Sequence, residues 1–548
     1  MYPKKELAQI VIAACNQFNI DTVVISPGSR NAPLTVGFSN HPAIKTMSIV
    51  DERCAAFFAL GIAQQTQKPT AVLCSSGSAL LNYYPAIAEA FYSKIPLVVI
   101  SADRPKHLID IGDGQTIRQE NVFEKHILFS ANLVENKKDF NVNLTAEALQ
   151  TAIHKKGPVH INVPFDEPLY ETVEVLNSFD FPQVFFQEQK NFDTYKQFAS
   201  IWNSSPKKMI LVGTNYPDKN LQELLNKFEK DPSVIILTET TSNIAAKDTI
   251  NSIDQLIFRF SDADFDAFKP EVLLTFGGMV VSKKIKQLLR KSPPKHHWHV
   301  DELQSINTYH CLTEYIKESP LDFLPNLLKH EFAKSNYQQK WLSEKEKRAA
   351  RHKKYVNEVS FSDLKVFEQV LESIPNNSQL QLANSSIVRY AQLFDLNDSL
   401  PVFCNRGTSG IDGSTSTAIG AAVVDKNQTV FITGDLSFFY DSNALWNNYI
   451  PNNFRIVLVN NSGGGIFRFI PGPKSTNALE YFETPHQLTA EHLCKMYQIE
   501  YNTAKSLEEL SVVLIDFYHE SNQPKLIEIF TDKEVNEKVL KEYFNFLK

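Results

Sequence analysis

The chain has 548 residues, 43% of them hydrophobic, with 62 acidic against 55 basic side chains and a formal charge of −7. That length predicts two to four domains at roughly 150 residues each. The acidic balance excludes a general nucleic-acid binder, which needs a basic face.

The first segment, MYPKKELAQIVIAACNQF, carries two lysines before an apolar stretch, but Glu6, Gln9, Asn16 and Gln17 interrupt it. The spacing suits an amphipathic helix rather than a signal peptide. No apolar run approaches the roughly 20 residues of a membrane span, so no membrane partner is expected. Short β-branched runs at 21–26, 70–75, 96–101 and 158–163 then alternate with stretches of helical spacing such as ERCAAFFALGIAQQ. Alternating β and α elements predict a parallel sheet covered on both faces. The polar stretch 183–197 reads as a connector. A second set of runs follows at 208–213, 233–238, 271–278 and 296–301. Residues 333–360, rich in Lys, Glu, Arg and Gln, read as an exposed helix and linker. The last third repeats the rhythm at 400–405, 428–433, 454–459 and 524–530. The expected fold class is α/β, with three consecutive domains of mainly parallel sheets over 1–182, 198–335 and 360–548.

The six cysteines, Cys15, Cys54, Cys74, Cys311, Cys404 and Cys494, form no C-x-x-C pair. Sparse thiols in a long chain fit a reducing compartment, so a soluble cytoplasmic protein is expected.

The polar signatures recur just past the carboxyl ends of the expected strands: SPGSRN, SSGS, ADRP, GDLS and NNSGGG. Ligands of open α/β sheets bind there. Asp435 and Asn461 each follow such a strand. Their side chains and the Gly463 carbonyl offer oxygens to a hard cation, and a bound diphosphate completes an octahedral Mg²⁺ shell. Gly434 and the N–H groups of Leu436 and Ser437 open a helix, where phosphate oxygens are held. Taken singly, Asp435 is also a good helix N-cap and NNSGGG a good turn. It is the pair after two strands that favours the cation. Glu52, at a helix start after a strand-like run, is on its own an ordinary first-turn acid.

This spacing resembles the diphosphate anchor of thiamine diphosphate enzymes, although Leu436 stands where the usual pattern has glycine. Together, ISPGSRNAPL, DERCAAFFALGIA, SADRP, GQTIRQ, NRGTSGIDG, GDLSFFYD and VNNSGGGIF resemble the MenD family of 2-succinyl-5-enolpyruvyl-6-hydroxy-3-cyclohexene-1-carboxylate synthases. That family shows the Gly-Asp-Leu-Ser variant. The motifs run from about residue 22 to about residue 472, and the central domain matches only weakly. The resemblance implies a thiamine diphosphate-binding fold and a transferase of menaquinone biosynthesis. Such an enzyme decarboxylates 2-oxoglutarate and adds the succinyl semialdehyde carbanion to isochorismate. It implies thiamine diphosphate and Mg²⁺, or Mn²⁺, as cofactors, and a homodimer or homotetramer whose sites are shared between subunits. Glu52 becomes the carboxyl that hydrogen-bonds the aminopyrimidine and promotes the nucleophilic ylid. Ile411 becomes the apolar residue that bends the coenzyme, with Ile466 and Phe467 also against it. Arg30, Arg104, Arg389 and Arg406 become the guanidinium forks for two dianionic substrates, joined by Ser29, Gln115, Ser385 and Lys283. The family often has Arg at Lys284.

Other patterns read as bland. HHWH at 296–299 would place His297 and His299 on one strand face, with no third ligand nearby in sequence to make zinc. GDG at 112–114 mimics the coenzyme signature but reads as a loop presenting Gln115. EKEKRAARHKKY reads as a charged helix face. The rival readings are another thiamine diphosphate 2-oxo acid decarboxylase or carboligase, and a catalytically idle scaffold that kept the fold.

Overall fold

The computed structural model describes residues 1–183, 195–246, 248–328, 332–470 and 472–548. Most of the expected connector at 183–197 lies outside the described residues. Three six-stranded parallel sheets carry the chain. The first runs, edge to edge, Lys45–Ser48, Thr22–Ile25, Thr70–Cys74, Leu97–Asp103, Val159–Pro164, Phe129–Asn132. The third repeats that order with Val402–Cys404, Gln379–Leu382, Thr429–Gly434, Phe454–Asn460, Lys525–Phe530, Glu500–Ala504. The two terminal sheets therefore share one topology, in which the first strand of each lies between the second and the third. The middle sheet differs: Thr249–Ile250, Val234–Leu237, Lys208–Val212, Val272–Phe276, His296–Val300, Glu314–Ile316.

The buried β-branched runs form these strands because both sheet faces are covered by helices. One continuous apolar cluster joins the inner faces of the first and third sheets, including Phe57 and Phe58 from one and Ile419 and Phe431 from the other. Its centre is the crossing of the helix Glu52–Thr66 with the helix Ser414–Val424. A Cβ on Gly61 would lie 2.1 Å from the Thr417 carbonyl oxygen, and one on Gly420 would lie 2.0 Å from that of Phe58. The helices touch backbone to backbone, so glycine is required from each side.

The expected exposed helix at 333–360 is Tyr337–Glu358, and it is partly buried. Trp341 is fully enclosed and packs edge-on to Phe268 of the middle domain. Its far end docks on the C-terminal helix, where Tyr355 Oη donates to the Val539 carbonyl at 2.9 Å. A few aromatic anchors hold an otherwise charged helix in place. The middle domain is also tied to the edge of the third sheet. Asn243 (φ 53°) donates to the Val402 carbonyl at 2.9 Å and accepts the Val402 N–H at 2.7 Å.

Gly420→Ala should destabilise the chain by about 1–3 kcal/mol through overpacking. Thermal unfolding at a fixed scan rate should show a lowered midpoint. Gly114→Ala, at a position with nothing within 4 Å of the added carbon, should not.

Candidate active site

The strands Thr429–Gly434 and Phe454–Asn460 are neighbours, with Gly434 opposite Val459. Asp435 and Asn461 therefore leave adjacent strand ends. Asp435 is 3% exposed. One of its carboxylate oxygens accepts the Leu436 N–H at 2.7 Å and the other accepts the Gly463 N–H at 2.9 Å. Asn461 donates from Nδ2 to Asp363 at 3.1 Å, while its Oδ1 is buried without a partner. Asp363 is in turn held by the Thr531 hydroxyl at 2.6 Å, and burial pushes its pKa up to about 6. A buried carboxylate beside an orphaned amide oxygen suits a hard cation. Gly463 (φ 144°) has no room for a side chain, since a Cβ would lie 2.4 Å from the Glu483 carbonyl. Its own carbonyl accepts the Gly465 N–H at 2.9 Å and keeps a second lone pair.

The helix after Gly434 is short, Asp435–Tyr440. The Ser437 hydroxyl donates to the Ile411 carbonyl at 2.7 Å and so pins the loop carrying that residue. Ile411 is 37% exposed, unusual for an isoleucine between two domains. His486, which sequence reading did not single out, lies 3.4 Å from Asp435 through Nε2. Its Nδ1 accepts the Leu488 N–H at 3.1 Å, so in the neutral tautomer the proton is on Nε2, which has no hydrogen-bond partner among the described residues.

Glu52 opens its helix with Asp51 as N-cap and receives a 3.3 Å hydrogen bond from Asn82. Its sequence neighbours bind the far end of the Asp435 helix. Asp51 accepts from Asn443 at 2.8 Å, and Arg53 donates to the Tyr440 carbonyl at 2.9 Å. Beneath them lies Asp441, fully buried, accepting the Ser416 N–H at 2.7 Å. No hydrogen bond or ion pair joins Glu52 to Asp435 or Asn461 among the described residues.

The expected cationic residues fall into two groups. Arg30 is buried and donates to the Phe165 carbonyl at 3.0 Å. Burial and then the nearby Arg104 push its pKa down. Arg104 holds the Gly114 carbonyl at 3.2 Å, beside Gln115 (φ 54°), and Ser29, next to Arg30, is exposed. Gln119 is fully buried; it accepts the Gly77 N–H at 2.9 Å and donates to Asn162 at 2.9 Å.

The second group comprises Arg389 and Arg406. Arg406 Nη1 donates to Asn384 at 2.6 Å, and its Nε is buried without a partner. Burial lowers the pKa of Arg389; Asp254 opposes this and Arg406 adds to it. Ser385 adopts φ 67° and ψ −125° at the start of the Arg389 helix. A cavity of about 400 Å³ is lined by Lys283, Lys284 and Arg389 on one side and by Ile466, Phe469 and Ile470 on the other. Phe467 packs instead on Phe482, at 5.2 Å between rings. Lys283 is exposed, whereas Lys284 donates to the Phe260 carbonyl at 2.9 Å. The two arginine groups share no hydrogen bond or ion pair among the described residues.

The lysine segment is anchored from below. Buried Glu239 accepts the N–H groups of Val281 (2.6 Å) and Ser282 (2.7 Å). Burial pushes its pKa up to about 7, with Asp254 raising it and Arg406 lowering it.

Comparison with known proteins gives two family matches. The thiamine pyrophosphate enzyme N-terminal TPP binding domain matches residues 5–127, and the middle domain of thiamine pyrophosphate enzymes matches residues 183–382. Relatives named 2-succinyl-5-enolpyruvyl-6-hydroxy-3-cyclohexene-1-carboxylate synthase include those of Flavobacterium johnsoniae (55% identical) and Flavobacterium psychrophilum (52%), each aligned over 100% of both chains. The one from Porphyromonas gingivalis is 37% identical over 100% of this chain and 98% of its own.

The raised pKa of Glu239 gives a signed prediction. The folded protein holds this proton up to about pH 7, whereas the unfolded carboxyl releases it near 4.5. Its contribution to stability is therefore full below pH 4.5 and declines as pH rises toward 7. The pH profile of the unfolding midpoint should be flatter over that window in Glu239→Gln than in the wild type.

Proposed function

The chain belongs to the 2-succinyl-5-enolpyruvyl-6-hydroxy-3-cyclohexene-1-carboxylate synthase family of thiamine diphosphate enzymes, and we propose that it decarboxylates 2-oxoglutarate and transfers the succinyl semialdehyde unit to isochorismate. The observation that carries this reading is the number of arginines gathered at the site: Arg30 beside Arg104, with Glu167 at 3.3 Å from Arg30 and Asp113 at 3.7 Å from Arg104, and Arg389 beside Arg406, whose Nε is buried without a partner. Clustered guanidiniums in partly buried pockets, only in part offset by protein carboxylates, suit two dianionic substrates. An enzyme for a monocarboxylic 2-oxo acid needs fewer cations.

In this reading Asp435, Asn461 and Gly463 hold Mg²⁺ or Mn²⁺, and Gly434, Leu436 and Ser437 face the diphosphate. Ile411, Ile466 and Phe467 support the coenzyme rings. The bound coenzyme supplies a carbon nucleophile that then serves as an electron sink. Glu52 holds a proton against the aminopyrimidine nitrogen. Arg30, Arg104, Ser29 and Gln115 form one wall of the substrate site, and Ser385, Arg389, Arg406 and Lys283 form the other.

Glu52 has no hydrogen bond or ion pair to Asp435 or Asn461 among the described residues, and we infer, as the family resemblance implies, that the two halves of one site come from different chains. Exposed Val50 and Leu81 lie close to Glu52 and Asn82 in sequence, and exposed Tyr440 lies under the Arg53 guanidinium. That apolar surface supports a homodimer or a larger even assembly. No described helix is long and apolar enough to cross a membrane. We place the enzyme in the cytoplasm, in keeping with six free thiols.

Mass spectrometry of a reaction containing isochorismate, 2-oxoglutarate, thiamine diphosphate and Mg²⁺ should detect the coupled product. Omitting the coenzyme or chelating the metal should abolish it, and Mg²⁺ or Mn²⁺ should restore it. Consumption of 2-oxoglutarate with no coupled product would point to another carboligase. Glu52→Gln should still bind coenzyme in calorimetry while turnover falls on the order of 10²–10⁴-fold. Near-normal turnover would refute the role given to Glu52.

A further inference from the structure

We propose that Glu89 is a positioning residue: its buried carboxylate fixes the loop 406–411 and so aims Arg406 at a substrate carboxylate. The proposal rests on the functional reading above.

Glu89 lies on the helix Tyr84–Ser93 of the first domain and is 1% exposed. Its Oε1 accepts the Gly407 N–H at 2.7 Å and the Ser93 hydroxyl at 2.7 Å. Its Oε2 accepts the Thr408 N–H at 2.7 Å and the Thr408 hydroxyl at 2.8 Å. Four donors thus satisfy one carboxylate, and three of them belong to a loop of the third domain. No Lys, Arg or His forms an ion pair with Glu89 among the described residues. A buried carboxylate with no ion-pair partner among the described residues needs a reason to be there.

The loop supplies one. A Cβ on Gly407 would lie 2.6 Å from the Glu89 carbonyl oxygen and 2.9 Å from its Oε1, so the loop lies flat on the helix. Arg406 directly precedes this contact. Asn384 holds the loop from within its own domain, donating to the Asn405 and Gly410 carbonyls at 2.7 Å each and accepting from Arg406. Ser437 pins the Ile411 end. Glu89 is the only one of these three anchors that comes from the other domain. It is therefore the anchor that sets Arg406 relative to the first domain.

Glu89→Gln keeps the volume but loses one acceptor and the charge. It leaves buried loop N–H groups facing an amide NH₂. A guanidinium displaced by even 1 Å costs on the order of 10²-fold in productive binding. Because Ile411 is pinned independently, coenzyme affinity should stay nearly unchanged.

The test uses full-length wild type, Glu89→Gln and Thr408→Val. In Glu89→Gln, amide hydrogen exchange should accelerate in peptides covering 405–411. KM for 2-oxoglutarate or isochorismate should rise at least tenfold, while the coenzyme dissociation constant moves by less than about threefold. Thr408→Val should move exchange and KM the same way but less, and it carries the test if Glu89→Gln does not fold. Unchanged exchange at 405–411 in both variants overturns the proposal. So does a loss of stability with KM unchanged, which is the signature of a purely structural carboxylate. If the wild type makes no product from these substrates, the functional reading fails, and the exchange data still decide whether Glu89 holds the loop.

Discussion

The crossing of the helices Glu52–Thr66 and Ser414–Val424 is the constraint from which the rest of the site follows. Side chains can repack around a neighbour, but two backbones in direct contact cannot separate or slide without losing the fit. Gly61 against Thr417, and Gly420 against Phe58, fix both helix axes. Fixing the axes also fixes what stands at the helix starts. Asp441 then accepts from the start of one helix, through Ser416, and lies 3.7 Å from Arg53 at the start of the other. Burial pushes the Asp441 pKa up to about 6, and Arg53 and the Ser416 donors pull it back. The acid at residue 52 is thus set by a buried polar network rather than by its own contacts, which number little more than Asn82.

The shared strand order of the terminal sheets lets one architecture present different side chains at equivalent strand ends. After the second strand, the first domain presents Glu52 and the third presents the loop holding Arg406 and Ile411. After the third strand, the first domain presents the Ser75–Gly77 turn, braced by Gln119, and the third presents Asp435. Equivalent strand ends carry different chemistry. In the proposed reading, Asp435 belongs to the metal end of the coenzyme and Glu52 to the aminopyrimidine end.

Much of this was legible because buried parallel strands are written as β-branched runs and their ligand-binding ends as glycine, serine and acid clusters. The strand Gln379–Leu382 was not, although it lies inside the third sheet. Its glutamines are buried but bonded, Gln379 to Asp425 at 2.6 Å and Gln381 to Gln379 at 3.0 Å, so no apolar run marks it. The edge strand Glu500–Ala504 is polar because one side meets solvent. In the candidate site the motif residues were visible, but their supports were not. Asp363, Asn384, Glu89 and His486 reach the site by tertiary contact and carry no local signature. The same blindness affected HHWH: Cys311, distant in sequence, approaches His297 at 3.7 Å. Both His297 and His299 bond the Thr275 hydroxyl, at 3.0 and 2.9 Å, and burial lowers each pKa to about 4. His297 Nε2 and His299 Nδ1 serve this buried network, and no group of three metal-ligating side chains converges among the described residues.

Unpartnered polar atoms and positive-φ residues occur throughout the described chain, and several of them fall in the candidate site. Asn461 Oδ1 and Arg406 Nε are buried without partners. Ser385 and Ser462 hold positive φ without being glycine, each at a cost of order 1–3 kcal/mol. Arg389 and Arg406 repel one another. Any one of these is tolerable in a chain this large. Gathered past the carboxyl ends of one sheet, they fit the proposed reading, in which a cation and substrate carboxylates bind there. The opposite holds for Arg455, equally buried, whose guanidinium is satisfied by the carbonyls of Phe517 at 2.7 Å and Asn452 at 2.8 Å. The contrast separates an arginine that closes the fold from one that the fold holds open for something else.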